Sequence, residues 1–397
     1  MQIAALPFLD TADPDFSTRG RDVRQARDTA WAARTPYGLA VLRWQECGTI
    51  LRDRRFRQGS HNWPETMGLT GPFARFWRDC LIGQEGRTHR RLRSILTSAL
   101  SNAYVVSMIP VYEEIAETLC AGLRQKNTAE FQSEFAVPFS GQAVTSLLGL
   151  PLSDWPEISR RASELGLAMG VEAKRHEPIF DAAYITLRDL GADLVARVRA
   201  GKDEDSFIAR LVARFDKVGD TTQQELSDLI VIAIFGGVDT TRGQLGLGLS
   251  LFIADPTQWQ ALRDDETRVP SAVEEFIRAR PTTTWVTREA TEDVVINDLT
   301  IPEGTVIHLL VHATSRDPQI CEVPDFDITR DRKTHFGFGG GTHHCVGHMM
   351  ARTDMAAALR SLRKTFKRVW MDGQPVYLPD SGNTAPERLP IGYEVEV

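Results

Sequence analysis

The stretch from Phe338 to Gly347 reads Phe-Gly-Gly-Gly-Thr-His-His-Cys-Val-Gly and is the most informative part of this 397-residue chain. Its glycines permit positive φ angles and let the backbone approach a flat, bulky group. Apolar residues at helical spacing follow Cys345, so we expect an amphipathic helix to begin about there. Unpaired N–H groups and the macrodipole at a helix start favour a thiolate. The stretch therefore predicts a loop that presents a cysteine thiolate, a strong ligand for iron, at a helix start.

Two other interpretations of this stretch compete. One is a buried, inert cysteine beside a flexible loop. The other is a zinc or similar metal site formed by His343, His344, Cys345 and His348. Adjacent ligands on one loop and turn cannot easily surround a tetrahedral ion, and the sequence has no C-x-x-C pair elsewhere. The spacing therefore disfavours the zinc interpretation.

The pattern F-G-x-G-x-H-x-C-x-G, matched here at every defined position, resembles the haem-binding loop of the cytochrome P-450 family. The resemblance implies heme b (iron protoporphyrin IX) with the Cys345 thiolate as its axial ligand. It also implies that Phe338, Gly339, His343 and Gly347 contact the cofactor. The implied fold is mainly α with small β-sheets, and it holds the haem between a long central helix and the cysteine loop.

Composition limits the other possibilities. The net charge of -7 argues against nucleic acid as the main partner. Five scattered cysteines suit a reducing cytoplasm, and we expect neither a signal peptide nor a membrane anchor, because no apolar run is long enough to span a bilayer. We expect one domain, 1–397, with a helix-rich core at about 85–280 and 330–365 and β-rich parts at about 37–57 and 282–312.

Two basic stretches match the family's propionate-binding positions. His89 and Arg93 lie four residues apart in a helical pattern and therefore share a helix face. They resemble the histidine and arginine that hold one haem carboxylate, and Arg288 resembles the arginine that holds the other. The alternative for His89 and Arg93 is an ordinary solvated basic helix face.

A long helix is predicted from Thr222 to Ala254. Thr222 and Glu225 form a capping box at its start, and Asp255 followed by proline ends it. At ~1.5 Å per residue such a helix is ~50 Å long, enough to cross a whole domain. We therefore expect it to pass through the core.

The centre of this helix reads Phe-Gly-Gly-Val-Asp-Thr-Thr from Phe235 to Thr241. Paired glycines weaken a helix, and threonine hydroxyls can bond back to a carbonyl, so we expect a local kink with room for a ligand. The stretch resembles the family's A-G-x-D/E-T-T motif, with Gly236 in place of alanine. The resemblance implies that Gly236 borders the cofactor and that Asp239 and Thr240 deliver protons for dioxygen activation. The alternative is that Asp239 merely pairs with a neighbouring arginine.

Glu275 and Arg278 have the spacing of a buried ion pair and match the family's E-x-x-R helix, for which we expect a structural role. Strand-like residues follow, with a hairpin predicted at Val294–Ile296, Asn297-Asp298 and Ile301–Ile307. The resemblance places residues 282–286 beside the haem and residues 59–86 and 160–195 over the substrate. The candidate substrate contacts, with a hydroxyl-rich threonine run beside them, are Phe235, Trp285 and Val286.

The resemblance implies a haem-thiolate monooxygenase that uses O2 and an external reductant to oxidise a small organic molecule. We expect electrons from a ferredoxin and ferredoxin reductase-type donor that docks on a basic face formed by Arg90, Arg91, Arg352, Arg360 and Arg363. The alternatives are a peroxide-using haem-thiolate peroxygenase, a catalytically idle haem or docking domain, and a non-haem metal protein. The sequence does not determine the substrate.

Overall fold

Helices dominate the structure, a computed structural model that describes residues 2–170, 172–332, 335–380 and 382–396. The helices are α1 Arg21–Thr29, α2 Trp44–Arg52, α3 Trp63–Thr66, α4 Pro72–Asp79, α5 Gly86–Ala99, α6 Asn102–Ser107, α7 Ile109–Leu123, α8 Val137–Leu147, α9 Trp155–Gly166, α10 Ala173–Arg199, α11 Phe207–Val218, α12 Gln223–Ala254, α13 Pro256–Asp264, α14 Val269–Ala279, α15 Val311–Ser315 and α16 His348–Thr365. The predicted mainly α fold with small sheets is confirmed.

Among the described residues the strands form four small sheets. They are β1 Ala32–Thr35, β2 Gly38–Val41, β3 Phe56–Gln58, β4 Thr128–Glu130, β5 Trp285–Ala290, β6 Val294–Ile296, β7 Leu299–Ile301, β8 Val306–Leu310, β9 Phe366–Met371, β10 Val376–Tyr377, β11 Pro386–Arg388 and β12 Pro390–Val395. The largest sheet has the order β1-β2-β8-β5-β3, in which only β2 and β8 run parallel. A second sheet has the order β4-β12-β9, and β6-β7 and β10-β11 are two-stranded.

Helix α12 is the long central helix that the sequence predicts. Its capping box is present: the Thr222 side chain accepts from the Glu225 N–H, and the Glu225 side chain accepts from the Thr222 N–H. The helix runs for 32 residues without a break, and α8, α9, α10 and α14 pack against it. Most of its side chains are buried, so it forms the axis of the main hydrophobic core. Its predicted bounds are confirmed.

Several predicted boundaries are wrong. The hairpin's second strand ends at Ile301, and Val306 instead begins β8 in the larger sheet. Residues 59–86, which the resemblance places over the substrate, contain α3 and α4. The three-residue strand β4 and the C-terminal strands were missed, because β4 finds its partner β12 only through the fold.

Helices α5 to α7 carry a large share of the apolar core. Leu92, Ile95 and Tyr112 are almost completely buried.

No single helix among the described residues combines the length and apolarity needed to cross a membrane. One pair of helices bent by 61°, Gly86–Ser107 with Ile109–Leu123, has that length and composition.

Candidate active site

The glycine-rich loop folds tightly against α2. Gly339 and Gly341 have positive φ angles of 68° and 67°. A Cβ on Gly341 would lie 1.9 Å from the Leu51 carbonyl oxygen, so only glycine fits there. The Cys345 N–H donates to the Phe338 carbonyl oxygen over 2.9 Å, which closes the loop. The loop therefore holds the Cys345 backbone in one position.

Cys345 lies three residues before the first residue of α16, His348. Burial raises the pKa of its thiol, and the Gly347 N–H and the positive charges of Arg93 and Arg352 only partly oppose this. The N–H beside the helix start does lower this pKa as predicted, but burial outweighs it in the protein alone. A metal ion bound to the sulfur favours the thiolate directly.

Four predicted cofactor-binding side chains converge on this loop, and we call them the basic cluster. They are His89 and Arg93 of α5, Arg288 of β5 and His343 of the loop. The ring centroids of His89 and His343 lie 4.1 Å apart. Arg93 donates through Nη2 to the His344 carbonyl oxygen over 2.6 Å. Three separate elements thus bring basic groups to one side of the cysteine loop.

Two members of the basic cluster are buried without an anionic partner. Arg288 is 2% exposed and donates to the oxygens of Thr287, Gly340 and the Gln58 side chain over 2.8, 3.3 and 3.4 Å. Within the described chain it forms no ion pair, and burial lowers its pKa to about 10. The Nε2 atom of His89 is buried with no hydrogen-bond partner in the described residues, and burial lowers the pKa of this ring to about 4.

These features fit heme b. Its two propionates would supply the carboxylates that Arg288 and His89 lack. Gly341 of the loop packs directly against the backbone of Leu51 in α2. By contrast, a Cβ at Gly236 of α12 would meet no atom within 4 Å. A flat group between α12 and the loop is therefore compatible with the residues present.

On α12, the two predicted proton-delivery residues make hydrogen bonds within the helix. The Thr240 hydroxyl donates to the Gly236 carbonyl oxygen over 2.6 Å. Asp239 accepts from Arg242 over 2.5 Å, and both side chains are mostly buried. The arginine pairing that the alternative interpretation anticipated is thus present. The end of α9 is adjacent, because a Cβ on Gly166 would lie 3.5 Å from the Asp239 carboxylate.

The three predicted substrate contacts occupy different environments. Val286 lies on the loop side of β5, where its Cγ2 is 3.9 Å from the Cβ position of Gly339. Trp285 points to the other face of β5. Its ring stacks on His308 with centroids 5.0 Å apart and packs against an apolar cluster that includes Leu9 and Val23. Trp285 is thus occupied by contacts within the chain, and its predicted contact with the substrate stays a prediction. Phe235 of α12 is 7% exposed and belongs to the main core.

The hydroxyls of the threonine run before β5 donate to groups of the C-terminal segment. The Thr282 hydroxyl donates to the Thr384 carbonyl oxygen over 2.7 Å. The Thr284 hydroxyl donates to the Gly382 carbonyl oxygen over 2.9 Å. Both side chains therefore connect the strand to the C-terminal segment, and their predicted place near the substrate stays a prediction.

The structural ion pair lies at the centre of a larger buried network. Arg278 binds Glu275 through two hydrogen bonds of 2.6 and 2.8 Å, and each residue is 3% exposed. Arg332 adds a contact of 3.3 Å to the same carboxylate. The sequence reasoning missed Arg332, because its partner is 57 residues away along the chain.

A second missed residue is Glu85, which directly precedes α5. Its Oε1 atom accepts from the Gln58 N–H over 2.6 Å and lies 2.9 Å from His343 Nε2. Gln58 was missed as well, although its side-chain oxygen contacts Arg288. The only local signal was an acidic residue at a helix start, which is usually a capping feature.

The predicted basic docking face is largely paired with acids. Arg91 pairs with Glu225 and Arg352 with Glu274, each over 2.5 Å. Arg363 pairs with Glu266, which Arg360 also approaches at 3.7 Å. Of the five arginines, Arg90 has no ion pair within the described residues. The positive charge available to a partner is therefore smaller than the sequence suggests.

The alternative metal site is not assembled. No group of three or more His, Cys, Asp or Glu side chains in the described ranges could hold a metal ion together. His343 binds Glu85, while the rings of His344 and His348 contact each other with centroids 4.6 Å apart. The histidines beside Cys345 are thus directed to protein partners.

Comparison with known proteins gives consistent matches. A sequence model described as Cytochrome P450 matches residues 173–386, more than half of the chain. Luteothin monooxygenase of Streptomyces thioluteus is 32% identical, over 98% of this chain and 97% of that protein. Nocardicin C N-oxygenase of Nocardia uniformis subsp. tsuyamanensis is 27% identical, over 97% of each. The crystal structure of CalO2 superimposes with a TM-score of 0.85 at 26% identity, covering 96% of this chain and 99% of that one.

Proposed function

Because the chain belongs to the cytochrome P450 family, we propose that its own residues divide the work of a haem-thiolate monooxygenase between the cysteine loop and α12. The enzyme uses O2 and an external reductant to oxidise a small organic molecule. The bound haem supplies oxygen activation, in which two electrons and two protons send one atom of O2 into the substrate and the other into water.

The observation that carries this proposal is the unsatisfied basic cluster beside Cys345. The sulfur of Cys345 would bind the haem iron, and His89 and Arg288 would bind the two propionates. A buried guanidinium without a carboxylate and a buried imidazole nitrogen without a partner are costly to keep in a protein that binds no anion there. The polar groups of this cluster are therefore fully satisfied only when carboxylates bind there.

Residues of α12 control protons on the other side of the cofactor. The Thr240 hydroxyl donates to the Gly236 carbonyl oxygen. Its oxygen lies near the open side of α12, which is the side where a Cβ on Gly236 would meet no atom within 4 Å. Asp239 takes protons from water near the end of α9, and Arg242 holds its carboxylate between turnovers. A peroxide-using enzyme would have no use for such a pair, so we favour O2 over the peroxygenase alternative.

For the substrate we propose a small molecule of specialised metabolism, because the relatives named above act on luteothin and nocardicin C and align over nearly their full lengths. Electrons come from a ferredoxin-type donor, whose contact with this chain would involve Arg90. We place the reaction in the cytoplasm, where the scattered cysteines stay reduced.

The reduced carbon monoxide difference spectrum of the purified protein tests the ligand assignment. We expect a strongly red-shifted Soret band that Cys345→Ser abolishes, while Cys321→Ser, a matched change at another buried cysteine, leaves it intact. A wild-type protein that binds no haem, or haem with a histidine spectrum, would contradict the proposal.

The proton-delivery roles need a separate test. Thr240→Ala should lower product formed per O2 consumed by about tenfold and raise peroxide release accordingly, because the hydroxyl beside the open side of α12 is lost. Thr241→Ala, its buried neighbour on the same helix, is the control. Equal losses in the two variants would show that the effect is structural.

A further inference from the structure

Glu85 joins three parts of the chain that surround the basic cluster. It directly precedes α5, accepts from the backbone N–H of Gln58 at the end of β3 and contacts His343 Nε2 of the cysteine loop. The Gln58 side chain in turn contacts Arg288. A single carboxylate thus connects the elements that carry His89, Arg288 and His343.

Glu85 is ionised in this setting. Burial disfavours the charged form, but the hydrogen bonds from His343 and from the Gln58 N–H outweigh it and lower the pKa to about 2. Its charge also acts on the rest of the basic cluster, because it raises the pKa values of Arg288 and His89 against the effect of burial. The carboxylate is therefore electrostatically part of the cluster.

Glu85 cannot itself bind a propionate, because both groups are negatively charged and like charges repel. Two propionates are expected at this cluster. Glu85 can act through His343. With Nε2 held by Glu85, the ring orientation is fixed and only Nδ1 remains for another partner. Glu85 was outside every motif that the sequence analysis identified.

We propose that Glu85 is a positioning residue of the haem site: it fixes the His343 ring, and its negative charge lowers the reduction potential of the bound haem. A negative charge stabilises the more positive ferric state over the ferrous state, so its loss makes reduction easier. This inference rests on the proposed function, since it requires haem beside the basic cluster.

The test separates charge from hydrogen bonding with two variants of the holoenzyme. Glu85→Gln keeps a side-chain oxygen that can accept from Gln58 and removes the charge, whereas Glu85→Ala removes both. Spectroelectrochemical titration measures the midpoint potential, and transfer to apomyoglobin measures the rate of haem loss. Glu387→Gln, at an exposed position in β11, is the matched control.

We expect both variants to have a higher midpoint potential than wild type, and Glu85→Ala alone to lose haem about tenfold faster. The control should match wild type in both measurements. An unchanged potential in Glu85→Gln, or an equal shift in Glu387→Gln, overturns the proposal. In each of these outcomes the reduced carbon monoxide spectrum keeps its red-shifted band. Failure of the haem-thiolate assignment would instead remove that band in wild type, so the two failures can be distinguished.

Discussion

The basic cluster and the lid contact differ in how their polar groups are satisfied. We define the lid contact as the hydrogen bonds between residues 63–73 and residues 168–181. In the basic cluster, a buried guanidinium and a buried imidazole nitrogen lack the anions that they need within the described chain. In the lid contact, side chains and backbone groups satisfy each other without any ligand.

The lid contact is built from long-range pairs between residues 63–73 and two later parts of the chain, the turn at Ala168 and helix α10. Trp63 donates through Nε1 to the Ala168 carbonyl oxygen over 2.8 Å. Glu177 of α10 accepts from the backbone N–H groups of Thr70 and Gly71 over 2.6 and 3.0 Å. The Thr70–Glu177 bond is exposed, so water can replace it when the segments separate.

Two further pairs extend the lid contact along α10. Asp181 accepts from the Phe73 N–H at the start of α4 over 2.8 Å, and Lys174 donates to the Gly68 carbonyl oxygen over 2.7 Å. Two buried groups of the basic cluster thus lack an anion within the described chain, whereas the groups of the lid contact satisfy one another. Such a division suits a protein that keeps its cofactor and exchanges its substrate.

The largest expected effect comes from removing a buried cation of the basic cluster. Arg288→Met should weaken haem binding by about ten- to a hundredfold, because a charge-assisted hydrogen bond to a propionate is lost. The free energy of unfolding of the haem-free protein should change less, since the guanidinium has no carboxylate partner there. Haem titration and urea unfolding of both forms measure the difference.

Arg57→Met is the control for this prediction. Arg57 lies on β3, next to β5, and its ion pair with Glu289 is partly exposed. Its loss should leave haem affinity nearly unchanged. Equal losses of affinity in the two variants would contradict the special role of Arg288.

A smaller effect is expected beneath the lid, where α10 meets α12. Burial raises the pKa of Asp228 to about 6, although Tyr184 and Gln224 donate to its carboxylate over 3.0 and 2.9 Å. Below about pH 4 both folded and unfolded forms hold the proton. As the pH rises through 6, the folded protein must ionise a buried acid, and stability falls by about 1–3 kcal/mol.

Asp228→Asn removes this penalty, because an amide stays neutral. The variant should be more stable than wild type at pH 7.5, by an amount that shrinks toward pH 4, as urea unfolding at several pH values would measure. Asp193→Asn changes an exposed aspartate of α10 and should show no such trend. A gap that widens as the pH falls would reverse the sign and refute the argument.

The smallest effect belongs to the lid contact itself. Glu177→Ala should speed hydrogen exchange of the Thr70 and Gly71 amides by about three- to tenfold, with global stability unchanged within about 0.5 kcal/mol. Glu172→Ala, whose side chain is 69% exposed, is the control. Unchanged exchange at both amides would mean that these hydrogen bonds do not hold the lid.

The sequence predicted best the features that depend on local chemistry. The bounds of α12 follow from a capping box at one end and Asp255 with a proline at the other, and all these residues are neighbours in sequence. The glycine-rich loop was recognisable because positive φ angles and a close approach to Leu51 require glycine. Each of these signals lies within a few residues of the structure that it specifies.

The sequence did not reveal contacts between residues that are distant along the chain, or which face of a short strand a side chain occupies. Arg332 and Glu85 matter through contacts with Glu275 and His343, which no local pattern reveals. The stacking of Trp285 on His308 was not expected, because a strand with few residues gives no indication of which face meets the cofactor. These features required the assembled fold.

The central claim is that the basic cluster is completed by carboxylates of the cofactor. The most direct measurement compares binding of haem and of haem dimethyl ester, in which both propionates are uncharged, to the apoprotein. We predict that wild type binds the ester at least about a hundredfold more weakly, and that Arg288→Met narrows this gap. Equal affinities for haem and its ester in wild type would contradict the account.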